Sequence, residues 1–365
     1  MLLLALATLS NTSCQADPPE LFPIFQDDKV GYMNQKGEVV IAPQYALAFP
    51  FSEGLAVVCT QTDGGCGFID QTGKIIIPTE FKQATRFSDG LAAVRVADKI
   101  GYIDKTGKIV INPQYSFSGD FELYTFSEGL AVVRLDDKLG FIDKTGKMAV
   151  PAQFDDVSPF FDGLAAASLN KKAGFIDRNG KFVINAQFDG AEPFVNGLAA
   201  VKVGGKFGYI DKTGKIVISP QFDKAFPFSA EGLALVINDE KIGFINRSGT
   251  YAISPQFVLS GWFFPLPWEF AFFVTNEIGR VSFSDGLAPV KNKTDGKFGY
   301  VNSTGNIVID YQFNEALPFY KGLAYVSRKQ SSEEERGWID KQGKFVWRDV
   351  RPTVDPNYNS NSSPK

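Results

Sequence analysis

One phrase dominates the chain: Gly, an aromatic residue, then Ile-Asp-Lys-Thr-Gly-Lys and close variants. Its first Gly falls at Gly31, Gly67, Gly101, Gly140, Gly174, Gly208, Gly243, Gly299 and Gly337. Successive copies begin 34 to 39 residues apart, with one gap of 56 between Gly243 and Gly299. A chain that repeats itself at such a period folds as neighbouring copies of one unit, each burying a face that it cannot bury alone.

Where length varies shows which part of the unit is rigid. From each first Gly to the aromatic residue of the following Pro-Gln-Phe-like segment (Gly31 to Tyr45, Gly101 to Tyr115) the distance is 14 residues in all eight complete copies. From that aromatic to the Gly of Gly-Leu-Ala it is 9 in most copies, but 14 and 29 in two of them, so insertions collect there. The rigid part reads as a β-hairpin: Gly101-Tyr102-Ile103-Asp104, a Lys105-Thr106-Gly107 tip, then Lys108-Ile109-Val110-Ile111. Asp at the start of such a turn bonds the backbone two residues on, and Gly at its end supplies a positive φ. A third strand follows each Gly-Leu-Ala, as in Leu91 to Val96, with Ala92, Val94 and Val96 expected on one face. Helical spacing is sustained nowhere in these units.

Aromatic residues recur at three unit positions: after the first Gly (Phe68, Tyr102, Phe141), in the Pro-Gln-Phe element, and before Gly-Leu-Ala (Phe51, Phe87, Phe126, Phe160). Packing between units accounts for most of the 34 Phe. The expected fold is therefore all-β: about nine three-stranded hairpin repeats in an elongated, twisted, solenoid-like array over residues 22–350. The last copy, from Gly337, would cap it. A closed or near-closed β-propeller is the alternative, disfavoured by nine units of three apparent strands where propellers ordinarily have 4 to 8 blades of four. The run Gly-Tyr-Ile-Asp-Lys-Thr-Gly-Lys, continuing to Pro-Gln-Phe and Phe-Ser-x-Gly-Leu-Ala, resembles the WG (KWG) repeat of bacterial proteins over residues 29–347. The Trp-Gly pair of that name is missing, since the position before the first Gly holds Val30, Cys66, Ile100, Leu139, Ala173, Phe207, Ile242 or Phe298, and Trp appears only in reverse order, in Gly337-Trp338. The resemblance implies an exported or surface-associated interaction protein and assigns no activity, catalytic residue or ligand.

Composition excludes several functions. With no His, imidazole-based nucleophile activation and His metal sites are impossible. A balance of 37 Lys and Arg against 41 Asp and Glu, net −4, lacks the electrostatic footprint of nucleic-acid binding. The repeated Asp residues are accounted for by turn chemistry, and one per unit cannot supply the 6 to 8 oxygens that Ca²⁺ takes. No cofactor is expected.

At the N-terminus, the apolar run Met1 to Leu9 is too short to span a bilayer and reads as a signal-peptide core within residues 1–16. Cleavage near Ala16 competes with a lipobox-like ending at Cys14, which would make Cys14 a lipid-bearing anchor and the only route to a membrane. The chain is expected to be exported: periplasmic, at the cell surface, or tethered. In an oxidising compartment, Cys59 and Cys66 on either side of a short polar loop are expected to pair. The Pro-, Asn- and Ser-rich residues 351–365 read as a disordered tail.

The long insertion, residues 258–281, is the most unusual stretch. It concentrates Trp262, Phe263, Phe264, Trp268, Glu269 and Phe270 between prolines that prevent a continuous helix. Such apolar mass either plugs the array or offers a binding face for a protein or glycan. A non-catalytic scaffold is expected; the alternative is a hydrolase acting on a polymer through Glu269, Glu277 and Asp285.

Overall fold

The computed structural model describes residues 20–62, 64–117, 121–258, 283–330 and 332–352, and everything structural below concerns these. They form nine small antiparallel sheets. In the third, Gln83–Ala84, Leu91–Val96, Lys99–Asp104 and Ile109–Ser116 pair in chain order. Each sheet thus takes the Gly-Leu-Ala strand of one repeat copy and the hairpin of the next. We number the sheets as blades 1 to 9: residues 21–45, 47–81, 83–116, 130–154, 156–188, 190–222, 224–258, 287–313 and 315–352.

Six blades have four strands rather than the three expected, because a short strand, two residues long in all but one of them, precedes the Gly-Leu-Ala turn. Blade 4 has a turn of 3-10 helix, Phe121–Tyr124, in that place. Among the described residues blade 1 has three strands, and Leu21–Gln26 stands where Gly-Leu-Ala strands stand elsewhere, pairing Leu21↔Asn34 through Gln26↔Lys29. The expected alternation of Ala92, Val94 and Val96 also gives way. Ala92, Ala93 and Val94 are all buried and Val96 is exposed, because a blade between two others has no solvent face along its middle strands.

Three repeat positions join the blades. The aromatic after the first Gly stacks on the aromatic before the next Gly-Leu-Ala: Tyr32 on Phe51, Phe68 on Phe87, Tyr102 on Phe126, and five further pairs, with ring centroids 4.6–5.0 Å apart. The turn Gly of each hairpin rests on the outer strand of the preceding blade, as Gly107 does on Ile77 and Gly146 on Ile111. In several hairpins the residue after the turn Asp or Asn donates to the preceding blade's backbone, as Lys105 Nζ does to Glu53 O (2.9 Å), Lys212 Nζ to Asp162 O (2.6 Å) and Arg247 Nη2 to Asn196 O (2.7 Å).

Blade 9 meets blade 1 through similar contacts, with Phe22, on the first strand of blade 1, in place of the aromatic before a Gly-Leu-Ala. Trp338 stacks on Phe22 at 5.2 Å, Gly37 rests on Val346, and Gln35 Nε2 donates to Lys321 O at 2.9 Å. Trp338 Nε1 donates to Pro23 O (2.8 Å), and Arg351 pairs with Asp28 (3.1 Å). One apolar cluster contains Leu21, Phe22 and Ile24 together with Leu317, Tyr325 and Trp338. The chain is therefore a closed nine-bladed β-propeller. The closed alternative is the arrangement adopted, and the elongated array expected first is not, because the last hairpin finds a complementary face on the first blade. The copy at Gly337 completes blade 9 and seals the ring rather than capping an open end. No strand crosses the seam, since each terminal blade uses residues from one end of the chain only.

Candidate binding site

In five of the eight turns before Gly-Leu-Ala an acidic residue lies in the left-handed region, with φ of 53° at Glu53, 55° at Asp89, 51° at Glu128, 54° at Asp162 and 54° at Asp285. The carboxylate at this position accepts from the Gly N–H of the next blade's turn: Gly90 donates to Glu53, Gly129 to Asp89, Gly163 to Glu128, Gly197 to Asp162, Gly286 to Glu231 and Gly322 to Asp285, at 2.5–3.2 Å. Asp285, a carboxylate considered for hydrolysis, is thus one of the links between blades. Where the ring closes, Lys321 occupies the acidic position and Glu20 the glycine position, and the two form an ion pair of 2.5 Å with the charges exchanged.

The hairpin turns have the chemistry read from sequence. Asp104 Oδ1 accepts from Thr106 N–H, Thr106 hydroxyl and Lys108 N–H at 2.9, 2.6 and 3.1 Å. The threonine hydroxyl foremost, with the backbone donors, holds the Asp70, Asp104, Asp143 and Asp211 carboxyls below their ordinary range. Among the described residues, no group of three or more Cys, Asp or Glu is placed to hold a metal ion. Cys59 and Cys66 are paired across blade 2, buried, with Cα atoms 4.0 Å apart and a disulfide between them. Cys14 lies outside the described residues, as do Trp262, Phe263, Phe264, Trp268, Glu269, Phe270 and Glu277.

Within the described residues the site that stands out is a cavity of about 560 Å³. Its lining comes from four consecutive blades: Arg86 and Ser88 of blade 3, Thr125 and Ser127 ahead of blade 4, Asp156 to Pro159 and Phe161 of blade 5, and Ala191 to Pro193 of blade 6. Blades of a ring diverge at their outer edges, so only the inner edge can bring four of them to one cavity. The short strands therefore face the axis.

Blade 5 makes the room. The fourth residue of its Gly-Leu-Ala strand is Ala167, where Val58, Val94, Val133, Val201, Val236, Val290 and Val326 stand in other blades and Ile24 in blade 1. The residue before its first repeat Gly is Ala173, the smallest found there. Both line the cavity, as does Ser168, whose counterparts in neighbouring blades are Arg134 and Lys202. Phe161 stands where Ser52, Ser88 and Ser127 each donate a 2.7 Å hydrogen bond to the next blade's Phe carbonyl, a position also without serine in blades 6 (Val195) and 9 (Tyr320). Phe161 forgoes that bond and leaves its ring 42% exposed at the cavity.

The charged groups of the cavity are Arg86, Asp156 and Glu192. Asp156 Oδ1 accepts from its neighbour Val157 N–H at 3.0 Å. Burial alone pushes the Glu192 carboxyl above its ordinary value, with no cation or donor offsetting it. Ionising Glu192 thus costs stability, which an Ala or Gln there would avoid; such a residue is one that structure alone does not require. Sequence reading passed over this cavity because it looked for added mass. The available signal was subtraction: two alanines at positions where every other copy carries a larger residue.

Family comparison finds the repeat in the same frame. The model of the WG containing repeat matches residues 31–61, 67–99, 100–138, 140–172, 174–207, 207–241 and 298–329, more than half of the chain. The chain belongs to the WG-containing repeat family. Seven of the nine copies match. The other two are the copy from Gly243, which runs into the long insertion, and the one from Gly337, whose hairpin ends the propeller. A search of curated proteins finds no match. Among solved structures, the WG propeller is similar to the crystal structure of the eukaryotic initiation factor, at 10% identity over 92% of this chain and 96% of that one, TM-score 0.61. It is also similar to Porphyromonas gingivalis dipeptidyl peptidase 4, at 9% identity over 86% of this chain and 60% of that one, TM-score 0.52. At these identities the likeness is one of fold.

Proposed function

We propose that this WG propeller is an exported, non-catalytic binding scaffold for a protein or carbohydrate partner, and that the ligand occupies the inner cavity between blades 3 and 6. The observation that carries this reading is the departure of blade 5 from its own repeat. Ala167 and Ala173 remove filling at two positions where every other blade carries a larger residue, and beside them Phe161 lacks the bond between blades that Ser52, Ser88 and Ser127 make. Loss of packing and of a hydrogen bond lowers stability, and a volume within the range of about 300–1,000 Å³ typical of ligand sites is what results. Export rests on the apolar run from Met1 to Leu9, and Cys14 is the residue through which a lipid would tether the chain. Nucleic acid is not the expected partner of a chain with net charge −4.

The test is a thermal-shift screen of the full chain against saccharides, peptides, amino acids and nucleotides, run beside the variant Ala167→Val/Ala173→Ile. Both replacements restore residues that other blades carry, so the variant is expected to fold and to be at least as stable. A ligand that raises Tm in the parent chain and not in the filled variant supports the reading; equal responses of both proteins to every compound defeat it.

A hydrolase is the second reading, favoured by one observation: two carboxylates, Asp156 and Glu192, line the same cavity, and burial raises the Glu192 carboxyl above its ordinary value, the direction a general acid needs. Release of reducing ends from a neutral polysaccharide, abolished in Glu192→Gln, would replace binding by catalysis.

A further inference from the structure

We infer that the cavity's ligand is a neutral carbohydrate, a short oligosaccharide or the end of a polysaccharide chain; this rests on the cavity being a binding site at all. A sugar offers two kinds of surface, an apolar face of C–H groups and a rim of hydroxyls that both donate and accept. The cavity has both complements. Phe161 presents an exposed ring with Pro159 and Pro193 beside it, and Arg86, Asp156 and Glu192 supply a guanidinium donor and two carboxyl groups. Glu192, half-buried in the cavity wall with its carboxyl raised by burial, is placed to exchange hydrogen bonds with a ligand's hydroxyls.

The same residues argue against the competing classes. One guanidinium against two carboxyl groups gives no net attraction for phosphates or acidic sugars. A peptide bound as an added strand needs a sheet edge long enough for a ladder, and the inner edges here, Asp156–Val157 and Gly190–Ala191, are two residues long. An apolar ligand would leave Glu192 and Asp156 without partners.

The experiment is a glycan array of neutral and acidic oligosaccharides probed with the full chain, with calorimetry on whatever binds, and a peptide array in parallel. Three variants accompany it: Phe161→Ser, which restores the serine of other blades, Glu192→Gln, and Ala167→Val/Ala173→Ile. The inference expects neutral glycans to bind the parent chain. Affinity should fall about tenfold or more in Phe161→Ser and Glu192→Gln, each losing a contact at the centre of the site, and binding should vanish in the filled variant. Should the filled variant fail to fold, Phe161→Ser decides the matter, since its serine already serves three other blades. Binding of acidic glycans only, of no glycan, or of neutral glycans with affinity unchanged across the variants overturns the inference. Peptides that bind the parent chain and not the filled variant would overturn the carbohydrate while leaving the cavity a binding site; a thermal-shift screen that separates no compound between the two proteins removes both.

Discussion

At the scale of single residues, the repeat's most constant letter has a steric cause. A Cβ on Gly101 would lie 2.7 Å from Ile111 O and Pro113 N, and one on Gly208 2.4 Å from Ile218 O. The facing strand bulges toward the glycine there, as the register shift between Ile100 and Tyr102 records. Gly101→Ala should cost about 2 kcal/mol or more, because backbone on both sides must move; urea unfolding of the variant measures it. The turn aspartates make a second prediction. Their folded-state values lie below the unfolded carboxyl value of about 3.9. Their stabilising effect is therefore complete above that value and is lost as pH falls through the lower folded one. Tm should be level from about pH 8 to 5 and fall steeply below about pH 4. Asp104→Asn should flatten the fall slightly while keeping the turn, since Asn34, Asn246 and Asn302 accept the same bonds in their own hairpins.

At the scale of strands and blades, the seam is the weak joint and the informative one. Neighbouring blades elsewhere are also linked by continuous chain, whereas blades 9 and 1 hold together by side chains and a few hydrogen bonds alone. Trp338 is central, buried at 2% exposure, with its ring on Phe22 and its Nε1 on Pro23 O. Trp338→Ala should cost about 3–5 kcal/mol, and Trp338→Phe about 1–2 kcal/mol, for the lost hydrogen bond with the ring kept. Hydrogen exchange should show the opening confined first to residues 21–45 and 315–352. An equal loss of protection in all nine blades would mean that the ring unfolds as one unit and the seam has no special place. The seam's chemistry was hidden in sequence, because Glu20, Gln35 and Trp338 acquire their roles only from residues about 300 positions away.

At the scale of the whole molecule, closure sets the dimensions. A compact body of 365 residues has a radius of gyration of about 21 Å, and an elongated array of the same units would far exceed it. Small-angle scattering of the chain without residues 1–19 and 353–365 should give a value of about 20 Å, and a clearly larger one with a long tail of interatomic distances would restore the open array. Closure also creates the inner cavity: residues from blades 3 to 6, more than 100 positions apart between Arg86 and Glu192, converge only because the inner edges bend toward one axis.

The amino-acid sequence by itself determined the unit. Period, hairpin turns, glycine positions and the aromatic contacts between neighbours are local or fall within one repeat length, and for those the spacing of residues carries the information. It did not determine how the series ends. Open and closed series of identical units make the same contacts between neighbours, and differ only in whether a small rotation per blade brings the last face onto the first. That rotation is a property of packed side chains in three dimensions, settled here by Trp338 against Phe22 and Lys321 against Glu20. The candidate site follows the same division: Ala167 and Ala173 were visible as irregularities, but a gap has a location and a lining only once the ring surrounds it.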